Sequence, residues 1–332
     1  MKAKYLVLPV ILLTIGAGCK KKDKSEASSV PVLTTWYISV TNPTTANGGG
    51  NITDVGGGSI KGKGLCWSTN TDPTIDDNKT NEGTGTGDFT SSMTGLTPNT
   101  TYYVRSYATN SAGTGYGKSL KFKTYTGTVT DIDGNVYNTV TIGSEVWLAE
   151  NLKVTKYRNG DAIPNVTVNT QWGKITTGAY CNYYHNPTNA DTYGRLYNWF
   201  AVNDNRNLAP AGYHVATETE YVTLVNYINF QTNGFNLGKI LASTSGWLES
   251  EEEGDIGNDQ ASNNSSGFTG VPAGYHSVDD NFYFLKDFAM FWTATEKNSS
   301  NAYIRKMEAS AGGMPNYDAP KRFGYSVRCV KD

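Results

Sequence analysis

Four groups of residues have types that could do chemistry. Asp131, Asp133 and Asn135 alternate as the first oxygen ligands of a calcium loop do. Such a loop needs glycine at its sixth position and glutamate at its twelfth. Val136 and Ile142 stand there, so the segment reads as a polar turn. Glu249 to Asp255, with Asp259 beyond, is an acidic run. Glu251, Glu253 and Asp255 are its candidate calcium ligands, and a solvated loop is the competing reading. His185, His214 and His276 are far apart in sequence, and none belongs to a metal-spaced pair. His214 precedes a helix cap and is expected to bond internally. There is no nucleophile elbow and no glycine-rich phosphate loop, so the chain reads as a non-enzyme. Flat apolar rings pack well on the C–H faces of sugars. Trp172, Trp247 and Tyr275 are the candidate ligand contacts, with Trp247 favoured because it borders a long polar loop.

The start of the chain reads as an export signal. Lys2 and Lys4 precede an apolar run from Tyr5 to Ile15, and Gly16-Ala17-Gly18 leads to Cys19. The run is shorter than the ~20 residues that span a bilayer. Its end resembles the bacterial lipobox, with Gly16 where leucine is usual. That resemblance implies a signal peptide at residues 1–18 and a lipid on Cys19. Residues 19–30 have no side chain able to build a core and read as a disordered tether. The lysines after Cys19 resemble those of outer-membrane lipoproteins, and the charged run resembles surface-export tags of Bacteroidetes. The expected location is the outer membrane, exposed at the cell surface, with the membrane reached through the lipid anchor.

The rest of the chain is long enough for two domains. Charged residues are only 17%, with 36 glycines and a net charge of −2. That composition suits β-sheet with many turns and gives no electrostatic case for nucleic acid. Residues 31–125 alternate in short segments broken by turns, which predicts a β-sandwich. Leu96-Thr97-Pro98-Asn99-Thr100-Thr101-Tyr102 turns into a strand that places Tyr102, Val104, Ser106 and Ala108 on one face. This stretch resembles fibronectin type III modules. The resemblance makes Tyr102 a corner tyrosine, its hydroxyl bonded back to the turn and its ring inside. It also makes the module a spacer or binding platform. Cys66, beside Trp67 and with its candidate partners in the other domain, reads as a buried free thiol.

Residues 126–332 predict an α+β domain with antiparallel sheet. Val136–Ile142 and Glu145–Leu152 form a hairpin about Gly143-Ser144. A helix is expected over 193–202, capped by Asp191 or Thr192. Thr217 and Glu220 form a capping box for a second helix, whose apolar face is Tyr221, Leu224, Val225 and Ile228. Residues 243–266 read as a long loop, followed by strands. Four motifs resemble the Fibrobacter succinogenes major paralogous domain, FISUMP, of secreted proteins. They are Asp131–Tyr137 with Trp147 and Ala149–Leu152, Tyr193–Trp199, Pro210–Thr217, and Phe291–Glu296 with Gly324–Val330. Tyr213, Ala216 and Ala209 depart from that pattern, which has tryptophan, proline and often cysteine there. The family looks related to the C-type lectin-like fold. Part of it also resembles formylglycine-generating enzymes, whose copper site needs two cysteines near the C-terminus, where this chain has only Cys329.

With Cys19 lipidated, Cys181 and Cys329 are the candidate disulfide, since export leads to an oxidising compartment. The expected function is a surface lipoprotein presenting a lectin-like domain to a glycan or protein. The alternative is a structural component working through protein–protein contacts. A secreted enzyme stands third. No cofactor is expected apart from the candidate calcium.

Overall fold

The computed structural model describes residues 29–36, 38–232 and 236–332. The export signal, Cys19 and most of the tether lie outside the described residues.

The first domain is a two-sheet sandwich. Val32–Thr35 (β1) and Ser39–Asn42 (β2) pair in succession with one edge of Thr45–Asp54 (β3), and Gly87–Met93 (β6) pairs with the other. In the second sheet Gly62–Ser68 (β4) lies between Asn78–Lys79 (β5) and Thr101–Thr109 (β7). Thr114–Tyr116 (β8) and Leu120–Lys123 (β9) line the far edge of β7. Apolar side chains alternate inward from both sheets, so Ile38, Leu65, Trp67, Phe89, Tyr102, Val104 and Phe122 share one core. The expected face of β7 is observed, with Tyr102, Val104, Ser106 and Ala108 all buried. The Tyr102 hydroxyl accepts the Thr97 backbone N–H at 3.1 Å, which is the predicted corner. Cys66 is buried and unpaired, and its Sγ donates to the Pro73 carbonyl.

Tyr125 leaves the sandwich and buries its ring among Trp147, Tyr221 and Phe268 of the second domain. Lys123 Nζ donates to the Thr141 carbonyl at 2.5 Å, and Lys118 pairs with Asp259 at 2.6 Å. The two domains therefore touch along one side of the linker.

The second domain is built on two antiparallel-rich sheets. Gly127–Thr130 (β10), Val136–Ile142 (β11) and Glu145–Leu148 (β12) form a meander. The last strand, Cys329–Lys331 (β22), joins β12 to Tyr213–Val215 (β15). Gly143 takes φ 65° in the predicted hairpin turn, a conformation that favours glycine. Tyr180–Cys181 (β13) and Leu196–Tyr197 (β14) form a small ribbon. The other sheet runs Phe282–Leu285 (β17), Ala273–His276 (β16), Phe288–Glu296 (β18), Asn301–Glu308 (β19) and Asn316–Pro320 (β20). Ser326–Val327 (β21) pairs parallel to β18.

Helices are few. Asn169–Trp172 (α1), Asn189–Tyr193 (α2), Trp199–Val202 (α3) and Leu237–Leu241 (α5) are each about one turn, and Glu218–Thr232 (α4) has 15 residues. The α4 cap is as predicted. Thr217 N donates to Glu220 Oε2 at 2.7 Å, Glu220 N donates back to Thr217 Oγ1 at 3.3 Å, and Tyr221, Leu224 and Ile228 are buried.

The single helix expected over 193–202 does not form. Gly194 takes φ 75° against Asn151 and ends α2 after Tyr193, Leu196 and Tyr197 pair as a strand, and only Trp199–Val202 coils beyond it. Asn198 starts that turn, accepting from Ala201 N and Ala179 N while its amide donates to the Thr177 carbonyl. Long-range pairing thus overrides an apolar spacing that is locally helical.

Candidate functional site

Burial sorts the aromatic candidates. Trp247 is 4% exposed and packs with Trp147, Tyr221 and Phe268. Its indole donates to Ser243 Oγ at 3.0 Å, and its backbone is clamped by the Gln260 side chain. It anchors the long loop to the core, so the expectation that it contacts a ligand is corrected. Trp172 is 1% exposed, with its ring 4.8 Å from His276, and is corrected for the same reason. Tyr275 is half-buried and joins a surface of rings that sequence reasoning missed.

That surface is built by the β16–β17 hairpin and the ends of β18 to β20. Tyr275 and Tyr283 are directly paired across the hairpin, so their side chains share a face. Between that pair and the next, Gly274 and Phe284 both take left-handed backbone, with φ 61° and 56°. A Cβ on Gly274 would sit 2.4 Å from the Tyr283 carbonyl, so no other residue fits. For phenylalanine this backbone is strained, and such strain persists where surrounding structure enforces it, often at functional sites.

The strain holds the Phe284 ring outward, 45% exposed. It stacks on Phe288 at 4.3 Å and 5° and on Tyr275 at 5.9 Å and 21°. Phe323 continues the face 5.8 Å from Tyr275. Lys306 Nζ lies 4.4 Å from the Phe288 ring centre, near exposed Tyr317, and pairs with Glu308 at 2.7 Å. The Tyr283 hydroxyl donates to Asp279 at 2.6 Å, and that bond holds the Asp279 carboxyl below its usual range. The result is an open shelf of rings with a cation, carboxylates and a phenol at its rim.

Beneath the hairpin lies a second cluster. The ring centres of His185 and His276 are 5.9 Å apart, Phe282 stacks on His276 at 4.1 Å, and Cys181 Sγ is 3.7 Å from His276 Nδ1. Histidines distant in sequence therefore meet in space. Burial pushes the His276 ring down to about 4 and the Cys181 thiol up. Both are neutral at physiological pH, which suits packing and not nucleophilic attack.

Cys181 and Cys329 are both buried and unpaired, which corrects the expected bridge. Cys181 belongs to the small ribbon and packs with Trp172 and Tyr183, while Cys329 belongs to the main core on another sheet. Glu251 and Glu253 are exposed, and Asp255 accepts from Ser250 Oγ at 2.6 Å. Among the described residues no three His, Cys, Asp or Glu side chains converge as metal ligands do. Asp131 accepts from the backbone of Asp133 and Asn135, from the Asn135 amide and from the Tyr137 hydroxyl, as a turn-forming carboxylate should. His214 bonds to Glu220 at 2.6 Å and Asp332 at 2.8 Å, the internal role expected of it.

Residues 140–331 match the family described as the Fibrobacter succinogenes major domain. The chain belongs to that family. The match contains the aromatic shelf, Trp147 and the C-terminal motif, and it begins after the Asp131 turn. No curated protein matches the chain. Solved structures align with about a third of it. The sensor domain of the anti-sigma factor RsgI4 from Pseudobacteroides cellulosolvens is 18% identical, covering 29% of this chain and 95% of that one, with a TM-score of 0.22. The third fibronectin III domain of human KIAA0343 is 17% identical, covering 32% and 93%, with a TM-score of 0.24. Chicken CNTN1 FN1–FN3 is 19% identical, covering 29% and 31%, with a TM-score of 0.23.

Proposed function

We propose that this member of the Fibrobacter succinogenes major domain family is a non-enzymatic, lipid-anchored surface protein. Its second domain binds a glycan on the Tyr275–Phe284–Phe288 shelf, in the manner of a lectin-like module. The observation that carries this reading is Phe284, a large apolar ring held open to water by strained backbone between two stacked neighbours. Exposed apolar surface of this kind marks interaction sites. Pyranose rings would lie on the stack, with hydroxyls meeting Lys306, Glu308 and Asp279. Cys19 would carry the lipid, and the outer membrane would be the site of attachment.

The alternative, a structural component working through protein contacts, draws on Phe230, which stands 83% exposed on α4. A glycan array with the chain, with and without calcium, separates the two. Phe284→Ala removes a ring whose burial is worth about 1.5–3 kcal/mol, so affinity should fall roughly tenfold or more. Binding that survives Phe284→Ala with Tyr275→Ala would sink the shelf as the site. Self-association without any glycan hit would favour protein contacts. Loss with chelator would bring back the acidic loop.

A further inference from the structure

The chain has seven tryptophans, and six of them are buried: Trp67, Trp147, Trp172, Trp199, Trp247 and Trp292. Trp36 is the exception, only partly buried where the first domain's edge breaks between β1 and β2. Its backbone N–H donates to the Gly49 carbonyl at 3.0 Å. Its ring lies on β3 at Gly49, where an added Cβ would sit 3.1 Å from the ring and 2.2 Å from the Phe89 carbonyl. Glycine inside a strand weakens it and marks a close approach. Here what approaches is the indole.

An open groove of about 870 Å³ lies beside this ring. Apart from the Trp36 ring its wall is made mostly of short polar side chains. Asn47 is paired with Ser92, and Gly49 with Thr90, so alternation puts all four on the same face of the sheet. Ser39 and Glu82 complete the lining, and among the described residues no lysine or arginine contributes. Ser91, between Thr90 and Ser92, points to the other face of β6, where its buried hydroxyl donates to Glu82 Oε1 at 2.7 Å and fixes that carboxylate at the groove's edge. One flat ring, a positioned carboxylate, an amide and several hydroxyls suit a neutral polyhydroxylated ligand.

We propose that this groove is a saccharide-binding site on the first domain, separate from the shelf on the second. A pyranose face stacks on Trp36, and the sugar hydroxyls bond to Glu82, Asn47 and Ser92. The module then takes part in binding and is more than a spacer.

The test is an array of neutral oligosaccharides probed with the intact chain and with its Trp36→Ala, Glu82→Gln and Phe284→Ala variants. Positive sugars are then titrated against acrylamide quenching of tryptophan fluorescence. Expected are hits that Phe284→Ala leaves intact, that Trp36→Ala weakens more than tenfold, and that Trp36→Tyr partly restores. Those sugars should shield the one accessible indole from acrylamide. Glu82→Gln should weaken them severalfold with the melting temperature unchanged. The proposal is overturned if every hit survives Trp36→Ala, or if no neutral sugar binds or shields Trp36. Either result leaves the Phe284 shelf to be judged on its own variants.

Discussion

The first domain closes its core with apolar side chains between two regular sheets, and a single tyrosine hydroxyl pins its corner turn. The second domain closes around a buried cation. Arg328 is fully buried and donates to the carbonyls of Leu148, Phe268 and Thr269 and to Asn151 Oδ1. Its guanidinium lies 4.4 Å from the Phe268 ring centre and 5.5 Å from that of Phe291. Burial pushes its pKa down to about 10, still above neutrality. A second buried arginine, Arg305, forks onto Glu218 and ties the start of α4 to β19. The difference follows from regularity. Strand ladders satisfy their own backbone, whereas long connections such as 243–272 bring carbonyls inside with no ladder partner. Arginine, with five donors in a fixed fork, can satisfy several at once.

The sharpest way to test this contrast is Arg328→Met. It should strand several buried acceptors and destabilise the second domain by about 4 kcal/mol or more, or stop it folding. Urea unfolding would measure it. A loss under about 1 kcal/mol would mean that the arginine is dispensable there.

Acidity gives the next largest effect, and it belongs to the second domain because all three histidines lie in it. His276 has its folded pKa lowered to about 4 from 6.5, chiefly by burial. The unfolded chain therefore binds the proton first. The contribution of a neutral His276 is fully present above pH 6.5 and is lost as pH falls from 6.5 towards 4. His214 runs the other way. Burial opposes its charge, but Asp332 and Glu220 outweigh that and raise its pKa above 6.5. Its contribution is full below pH 6.5 and disappears as pH rises through the folded value. Melting curves of His276→Gln and His214→Gln against the unmodified chain should show difference slopes of opposite sign. Slopes of the same sign would contradict these burial and pairing assignments.

The smallest effect is expected in the sandwich. Tyr102→Phe removes one hydrogen bond and keeps the ring, so it should cost about 1 kcal/mol in thermal or urea unfolding. A cost as large as that of Arg328→Met would erase the proposed difference between the domains.

What the chain's local pattern determined is what depends on residues close in sequence. The Gly143 turn, the Thr217–Glu220 cap, the Tyr102 corner and the alternating strands were all legible, because each is set by contacts within a few residues. The family resemblance also came from local motifs, and the match over residues 140–331 bears it out. The functional surface was only partly legible. Sequence picks out Tyr275 but not Phe284, Phe288, Phe323 or Trp36, and it offers Trp247 and Trp172 as ligand contacts although both are buried. An aromatic ring looks the same in sequence whether it fills a core or faces water. Its exposure depends on strands far away, such as the pairing of β16 with β18 or of β3 with β6. The same holds for 193–202, whose helical spacing yielded to pairing with Tyr180–Cys181, and for Cys181 and Cys329, which the topology sends to different sheets. Tertiary packing decided these points, because burial and pairing are properties of distant segments brought together.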